Sequence, residues 1–216
     1  MKIFDTYVQK LKYKVLKEVI KKAYADELDT CYRDIPKEIS PGPKPIARCC
    51  VYKDRAVIEE RIALAMGGDK NNPNSVEVID IACDECPVEG AYVTPACRGC
   101  LVHRCVDTCP KGAISIVNHK AIVDKEKCVE CGKCTTVCPY SAIIMQKRPC
   151  IKACKVDALT IDENKKAKID NDKCISCGAC VYQCPFGAIS DKSFVLETVD
   201  ILRKSENNTK YNTYAV

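Results

Sequence analysis

Over residues 4–24, Phe4, Val8, Leu11, Val15, Val19 and Ile20 fall near a helical period while Lys10, Lys14, Lys17 and Lys21 take positions between them, which predicts an amphipathic helix. SPGPKP (40–45) is a turn-rich break, and DRAVIEERIALAMGG (54–68) predicts a second helix closed by glycine at its C-terminal cap. NNPNS then leads into VEVIDIAC, which alternates as a strand does and delivers Cys83 at its end. A last helix is expected near 191–204, with Val195, Val199 and Leu202 on one face. The final NTYAV has strand character and stops without a terminator, as a fragment of a longer chain would.

From residue 97 the pattern repeats. AISIVNHKAIVDKEKCVECGKCTTVCPYSAI, starting at Ala113, aligns with ALTIDENKKAKIDNDKCISCGACVYQCPFGAI, starting at Ala158, with one extra residue in the second turn. Each copy predicts a strand, a polar turn and a second strand, leading into a cysteine loop and a brief helical segment.

Composition adds that the 216 residues include 19 cysteines, far more thiol than packing requires. The opening MKIFDTYVQKLKYKVLKEVIKK lacks an uninterrupted apolar core and a small-residue cleavage site, and no stretch approaches the roughly 18 apolar residues of a membrane span. The expectation is a cytoplasmic protein without a membrane partner, where dense cysteine means metal or redox chemistry rather than disulfides. The formal net charge of +5 counts every cysteine as neutral. Thiolates bound to metal would lower that sum. Nucleic acid is therefore not an expected partner: there is no tryptophan, only three phenylalanines, and no basic stripe interleaved with aromatics.

The cysteine spacing carries the chemistry. A cubane cluster needs four thiolates around a compact body; C-x2-C-x2-C lets one tight loop supply three, and the cysteine of the following x3-C-P step serves the other cluster of a pair. Cys128, Cys131, Cys134, Cys138-Pro and Cys174, Cys177, Cys180, Cys184-Pro match this pattern; Cys97, Cys100, Cys105, Cys109-Pro is a variant with a longer middle gap. Gly132 and Gly178 suit a backbone that passes close to the inorganic core. Zinc also uses paired C-x2-C, but a tetrahedral ion has no use for the third close cysteine or the C-P step. His103 reads as a donor beside a cluster, a substitute ligand or a solvated loop histidine, and the lone Cys31 as a small buried apolar residue.

Over residues 97–190 these repeats resemble bacterial two-cluster ferredoxins. The resemblance implies two ligand sets: Cys97, Cys100, Cys105 with Cys138, and Cys128, Cys131, Cys134 with Cys109. Shifting the first repeat by 45 positions carries Cys105 and Cys109 onto Cys150 and Cys154, but Cys97 and Cys100 land on Ala142 and Met145. Cys174, Cys177 and Cys180 can still close a third cluster with Cys154. Cys150 and Cys184 are left as half a site, which Cys83 and Cys86 of CDECP (83–87) could complete as a fourth cluster. Two alternatives stay open: spare thiols beside a lost cluster, or a separate site that also uses Cys49 and Cys50.

ARCCVYKDRAVIEERIALAMGG, IDIACDECPVEG and ACRGCLVHRCVDTCPKGAI, with the repeats that follow, are similar to the N-terminal iron-sulfur region of a monomeric iron-only (FeFe) hydrogenase of the clostridial type. That resemblance implies one-electron transfer from a soluble ferredoxin or similar carrier to a catalytic domain that follows covalently in the full protein. No cysteine follows Cys184, so no catalytic residues are expected in this chain, which alone would not be an enzyme. The alternative is an iron-sulfur subunit of another multi-component oxidoreductase, molybdenum- or nickel-dependent. The expected fold is α+β, with tandem bacterial-ferredoxin-like 4Fe-4S modules after a mainly helical N-terminal segment. Its divisions are 1–75 helical, 76–96 a strand and CxxC connector, 97–145 a first module, 146–190 a second, incomplete module, and 191–216 a C-terminal helix and truncated linker.

Overall fold

The computed structural model describes residues 3–87 and 89–214. Ala215 and Val216 of the terminal NTYAV therefore lie outside the described residues, and Asn212–Tyr214 are not in a strand. The chain divides into two compact units, Met1–Glu85 with Pro149–Val216, and Cys86–Arg148.

The first unit opens with α1 (Tyr7–Tyr24), α2 (Leu28–Cys31), α3 (Ile35–Ile39), α4 (Val51–Ala65) and the short strand β1 (Val76–Val78). α1 begins at Tyr7 rather than Phe4 because Thr6 and Gln9 form a capping box, each side chain bonded to the other's backbone N–H at 3.2 Å. Its expected stripe is buried at Leu11, Val15 and Val19, against Leu28, Ile35, Ile39, Ile58, Ile62 and Ala65. Burying each such side chain contributes about 1.5–3 kcal/mol.

α4 starts three residues earlier than the sequence predicts, because the Cys50 sulfur accepts the Lys53 N–H at 3.5 Å and caps it. It lacks a clean polar face for a packing reason: Ile58, Ile62 and Ala65 join the helical core, while Val57 and Leu64 join a second core built around cysteines. α2 and α3, of four and five residues, are too short to show a period. The strand expected in VEVIDIAC stops at Val78, and one 3-10 turn (Asp80–Ala82) leads to Cys83.

The second unit runs β2 (Gly90–Val93), α5 (Arg104–Asp107), β3 (Ile114–Val117), β4 (Lys120–Val123), α6 (Lys133–Val137) and β5 (Ile143–Gln146). β3 and β4 form a hairpin, and β2 pairs antiparallel with β5, Ala91 opposite Met145.

The first unit then resumes with α7 (Pro149–Ala153), β6 (Leu159–Ile161), β7 (Ala167–Ile169), α8 (Ala179–Gln183), β8 (Ile189–Asp191) and α9 (Val195–Lys204). β6 and β7 form a hairpin, and β8 pairs antiparallel with β1, Glu77 opposite Ser190. The two units thus repeat one plan: an outer strand pair, a hairpin and a pair of short helices, α5 with α6 and α7 with α8. The segment 76–96 gives a strand to each, β1 to the first and β2 to the second. Among the described residues no helix is long and apolar enough to cross a membrane.

Candidate metal centres

Each cysteine loop turns on residues in the left-handed region. In the loop 128–134 these are Glu130 (φ 55°) and Gly132 (φ 73°), and in 174–180 Ser176 (φ 54°) and Gly178 (φ 73°). The longer loop 97–105 uses Gly99 (φ 55°) and His103 (φ 50°), so its two extra residues, Leu101 and Val102, bulge outward between the turns and are exposed. Gly99 is required, since a Cβ there would stand 2.2 Å from the His119 carbonyl oxygen. His103 is half-buried and starts α5 in the position Gly132 holds before α6.

A second turn recurs after each x3-C step. Ala113 donates its N–H to the Cys109 sulfur at 3.2 Å, Ala142 to Cys138 at 3.3 Å, Ala158 to Cys154 at 3.2 Å and Ala188 to Cys184 at 3.2 Å. The residue before each alanine (Gly112, Ser141, Asp157, Gly187) has φ between 48° and 59°, which turns the next N–H back toward the sulfur. All four alanines are buried, so a larger side chain has no room beside the thiol. Two hairpins add a matching bond: Ala121 of β4 donates to Cys97 at 3.4 Å, and Ala167 of β7 to Cys83 at 3.3 Å. Such N–H groups favour thiolate and cluster sulfur, and their alanine spacing is the sequence signal the cysteine pattern alone leaves unused.

The structure gathers the cysteines in groups. Cys109, Cys128, Cys131 and Cys134 line one cavity; Cys154, Cys174, Cys177 and Cys180 line another. Burial pushes the Cys134 thiol up, and the charges of Cys128, Cys131 and Cys109 push it further. Burial likewise raises Cys105, whose charged neighbours include Cys100 and Cys138, and Cys180, whose neighbours include Cys174 and Cys177. Cys97 and Cys105 pack on the core that holds Cys134. In the first unit, buried Cys83, Cys150 and Cys184 share one core with Cys154 and Cys180. Cys86 is half-buried.

Cys49 and Cys50 are exposed, and Cys31 is half-buried rather than part of a core. Among the described residues no three Cys, His, Asp or Glu side chains converge on a point that would hold a single ion. The donor set fits an iron-sulfur core. Soft thiolates crowd together in buried loops, where burial and mutual repulsion disfavour their charge, and backbone N–H groups already face the sulfurs. A cationic iron core would relieve that repulsion.

Residues 96–142 match the 4Fe-4S dicluster domain, and residues 167–190 the 4Fe-4S binding domain. The chain carries ferredoxin-type 4Fe-4S domains. Its mixed helix and strand fold, with a helical N-terminal segment before these domains, is the one the sequence predicts. Over 81 residues it is 33% identical to an uncharacterized ferredoxin of Methanocaldococcus jannaschii, covering 30% of this chain and 54% of that protein. It is 36% identical over 67 residues to the electron transport protein HydN of Escherichia coli, covering 30% and 38% respectively. A further 45% identity over 47 residues relates it to one component of an ion-translocating oxidoreductase complex of Methanosarcina acetivorans, covering 22% and 17%. The chain spans about half the length of the ferredoxin and less of the other two. These relatives and domains support an iron-sulfur electron-transfer role.

Proposed function

We propose that the chain relays single electrons through four 4Fe-4S clusters. Three would be held by Cys97, Cys100, Cys105 with Cys138; Cys128, Cys131, Cys134 with Cys109; and Cys174, Cys177, Cys180 with Cys154. The fourth would be held by Cys83, Cys150 and Cys184, with Cys86 added by the C-x2-C spacing. A bound 4Fe-4S cluster supplies a one-electron couple; the chain binds it, presents N–H donors to its sulfurs and limits water around it.

The observation that carries this reading is the grouping of the sulfurs, above all the burial of Cys83 with Cys150 and Cys184 in one core. By this reading the second repeat is a whole module whose chain is interrupted after the C-x2-C step of Cys83 and Cys86, the interruption lying within Cys86–Arg148. Anaerobic reconstitution tests it. About sixteen irons per chain, with brown colour bleached by dithionite, support four clusters, whereas about twelve leave only three.

Upstream, a soluble ferredoxin or similar carrier is the proposed donor. Downstream, resemblance to the hydrogenase region suggests a catalytic domain as acceptor. The likeness to a component of an ion-translocating oxidoreductase complex supports the alternative, a separate multi-component oxidoreductase. Reduced chain mixed with each purified acceptor separates them by the rate of its reoxidation.

A further inference from the structure

Arg61 lies on α4 at 5% exposure, yet among the described residues it enters no ion pair. Its Nη2 donates to the Gly187 carbonyl oxygen at 2.6 Å, and its Nε is buried without a hydrogen-bond partner. Arg48, also outside any ion pair among the described residues, donates from Nη2 to the Phe186 carbonyl oxygen at 2.7 Å. Both carbonyls belong to the turn between Cys184 and Ala188, whose N–H faces the Cys184 sulfur. The two arginines line one cavity of about 210 Å³. The carboxylate in it, Asp54, is engaged by the N–H groups of Ile46 and Ala47. Burial pushes Arg61 down to about 10, Arg48 adds repulsion, and the Cys184 thiolate pulls the other way.

Two adjacent cations, one of them deeply buried, require a countercharge. Asp54 is already engaged by backbone N–H groups and Arg48 also acts on the Asp84 carboxylate, which leaves the Cys184 thiolate as the anionic group beside Arg61, at the turn to which both arginines donate. We propose that Arg48 and Arg61 are the countercharge of the 4Fe-4S cluster ligated by Cys184, and that they raise its reduction potential above that of the cluster ligated by Cys138. This rests on the four-cluster reading.

Reduction adds one negative charge to a cluster, so a fixed cation close by stabilises the reduced form. The Cys138 turn differs at the decisive place. A Cβ on Gly187 would stand 2.7 Å from Arg61 Nη2 and 2.6 Å from Val8 Cγ1, so the guanidinium reaches this carbonyl only over glycine. In the other unit the equivalent turn residue, Ser141, takes the same conformation (φ 48° against 59°) and already carries a Cβ. Of these two clusters, the first electron rests on the one at Cys184.

The test is an EPR-monitored redox titration of the full reconstituted chain, with Cys184→Ala used to identify the midpoint that belongs to this site. In Arg48→Met, whose side chain is only half-buried, that one midpoint moves to more negative potential. It moves further in Arg48→Met/Arg61→Met, while Arg61→Lys, which keeps the charge, stays close to wild type. Unchanged midpoints in Arg48→Met at normal iron content, or an equal shift of all midpoints, overturn the proposal alone. Iron content and midpoints untouched by Cys184→Ala overturn the four-cluster reading along with it.

Discussion

Ala167 donates its backbone N–H to the Cys83 sulfur at 3.3 Å, just as Ala121 donates to the Cys97 sulfur at 3.4 Å. The two alanines hold the same register place in their hairpins, Ala167 opposite Ile161 and Ala121 opposite Ile116. Cys83 therefore stands to its hairpin as Cys97 does, although it precedes its bonded alanine by 84 positions rather than 24. Each of these cysteines also begins a C-x2-C step, with Cys86 and Cys100 next in line.

Removing this pair of thiols tests the equivalence. In Cys83→Ala/Cys86→Ala, iron falls by about four per chain from about sixteen, while the other clusters stay. Thermal stability falls too, because Cys83 is part of the core around Cys150 and Cys184 and cluster binding is coupled to folding. Equal iron in wild type and variant would make these cysteines structural.

Cys134 should behave as a ligand whose loss spreads. It is 8% exposed and shares a core with Cys97, Cys105, Cys109 and Cys128, which belong to the two interleaved ligand sets proposed above. Cys134→Ala is expected to remove about four irons and to weaken the neighbouring cluster, seen as faster bleaching in air. Unchanged iron would remove Cys134 from its ligand set.

Much of this was legible in the residues. The stripe of α1, both hairpins and the cysteine loops follow from periodicity and spacing, because each is a local pattern. The pairing of β1 with β8 leaves no local trace: aligning the repeats by a fixed shift sets Cys97 and Cys100 against Ala142 and Met145, and nothing nearby marks an interruption. Arg61 was equally hidden. A charged residue in a helical run reads as a wet surface, and only the approach of the Gly187 turn shows why this one is buried.

Asp124 and Asp170 link the loops to pH. Each precedes a cysteine loop by four residues and accepts the N–H two residues on, from Glu126 at 3.0 Å and from Asp172 at 3.1 Å. The Glu126 N–H, with Lys127, holds the Asp124 carboxyl below its usual range; the Lys173 ammonium does the same for Asp170. A carboxyl whose pKa is depressed in the folded state adds stability above its ordinary value, near about 4, and loses it as pH falls through the lower folded value. Asp124→Asn/Asp170→Asn keeps a side-chain acceptor without the charge. Its thermal midpoint should lie below wild type at neutral pH, with the gap narrowing on acidification below about pH 4. A gap independent of pH would remove the charge from the explanation.

Gly187 and Ser141 make opposite predictions at equivalent turns. Both have left-handed backbones, but a Cβ at Gly187 meets Arg61 and Val8, whereas Ser141 already carries one. Gly187→Ala should cost about 1–3 kcal/mol, the sum of left-handed strain and the displacement of a buried guanidinium from its carbonyl. For a chain of this size that lowers the melting temperature by about 2–4 °C per kcal/mol. Ser141→Gly should stay within about 1 kcal/mol of wild type, since relief of the left-handed strain offsets the added freedom of the unfolded chain. Differential scanning calorimetry of the reconstituted proteins measures both. Equal, small effects at the two positions would mean that the close approach of Arg61 to the turn is not what makes glycine necessary there.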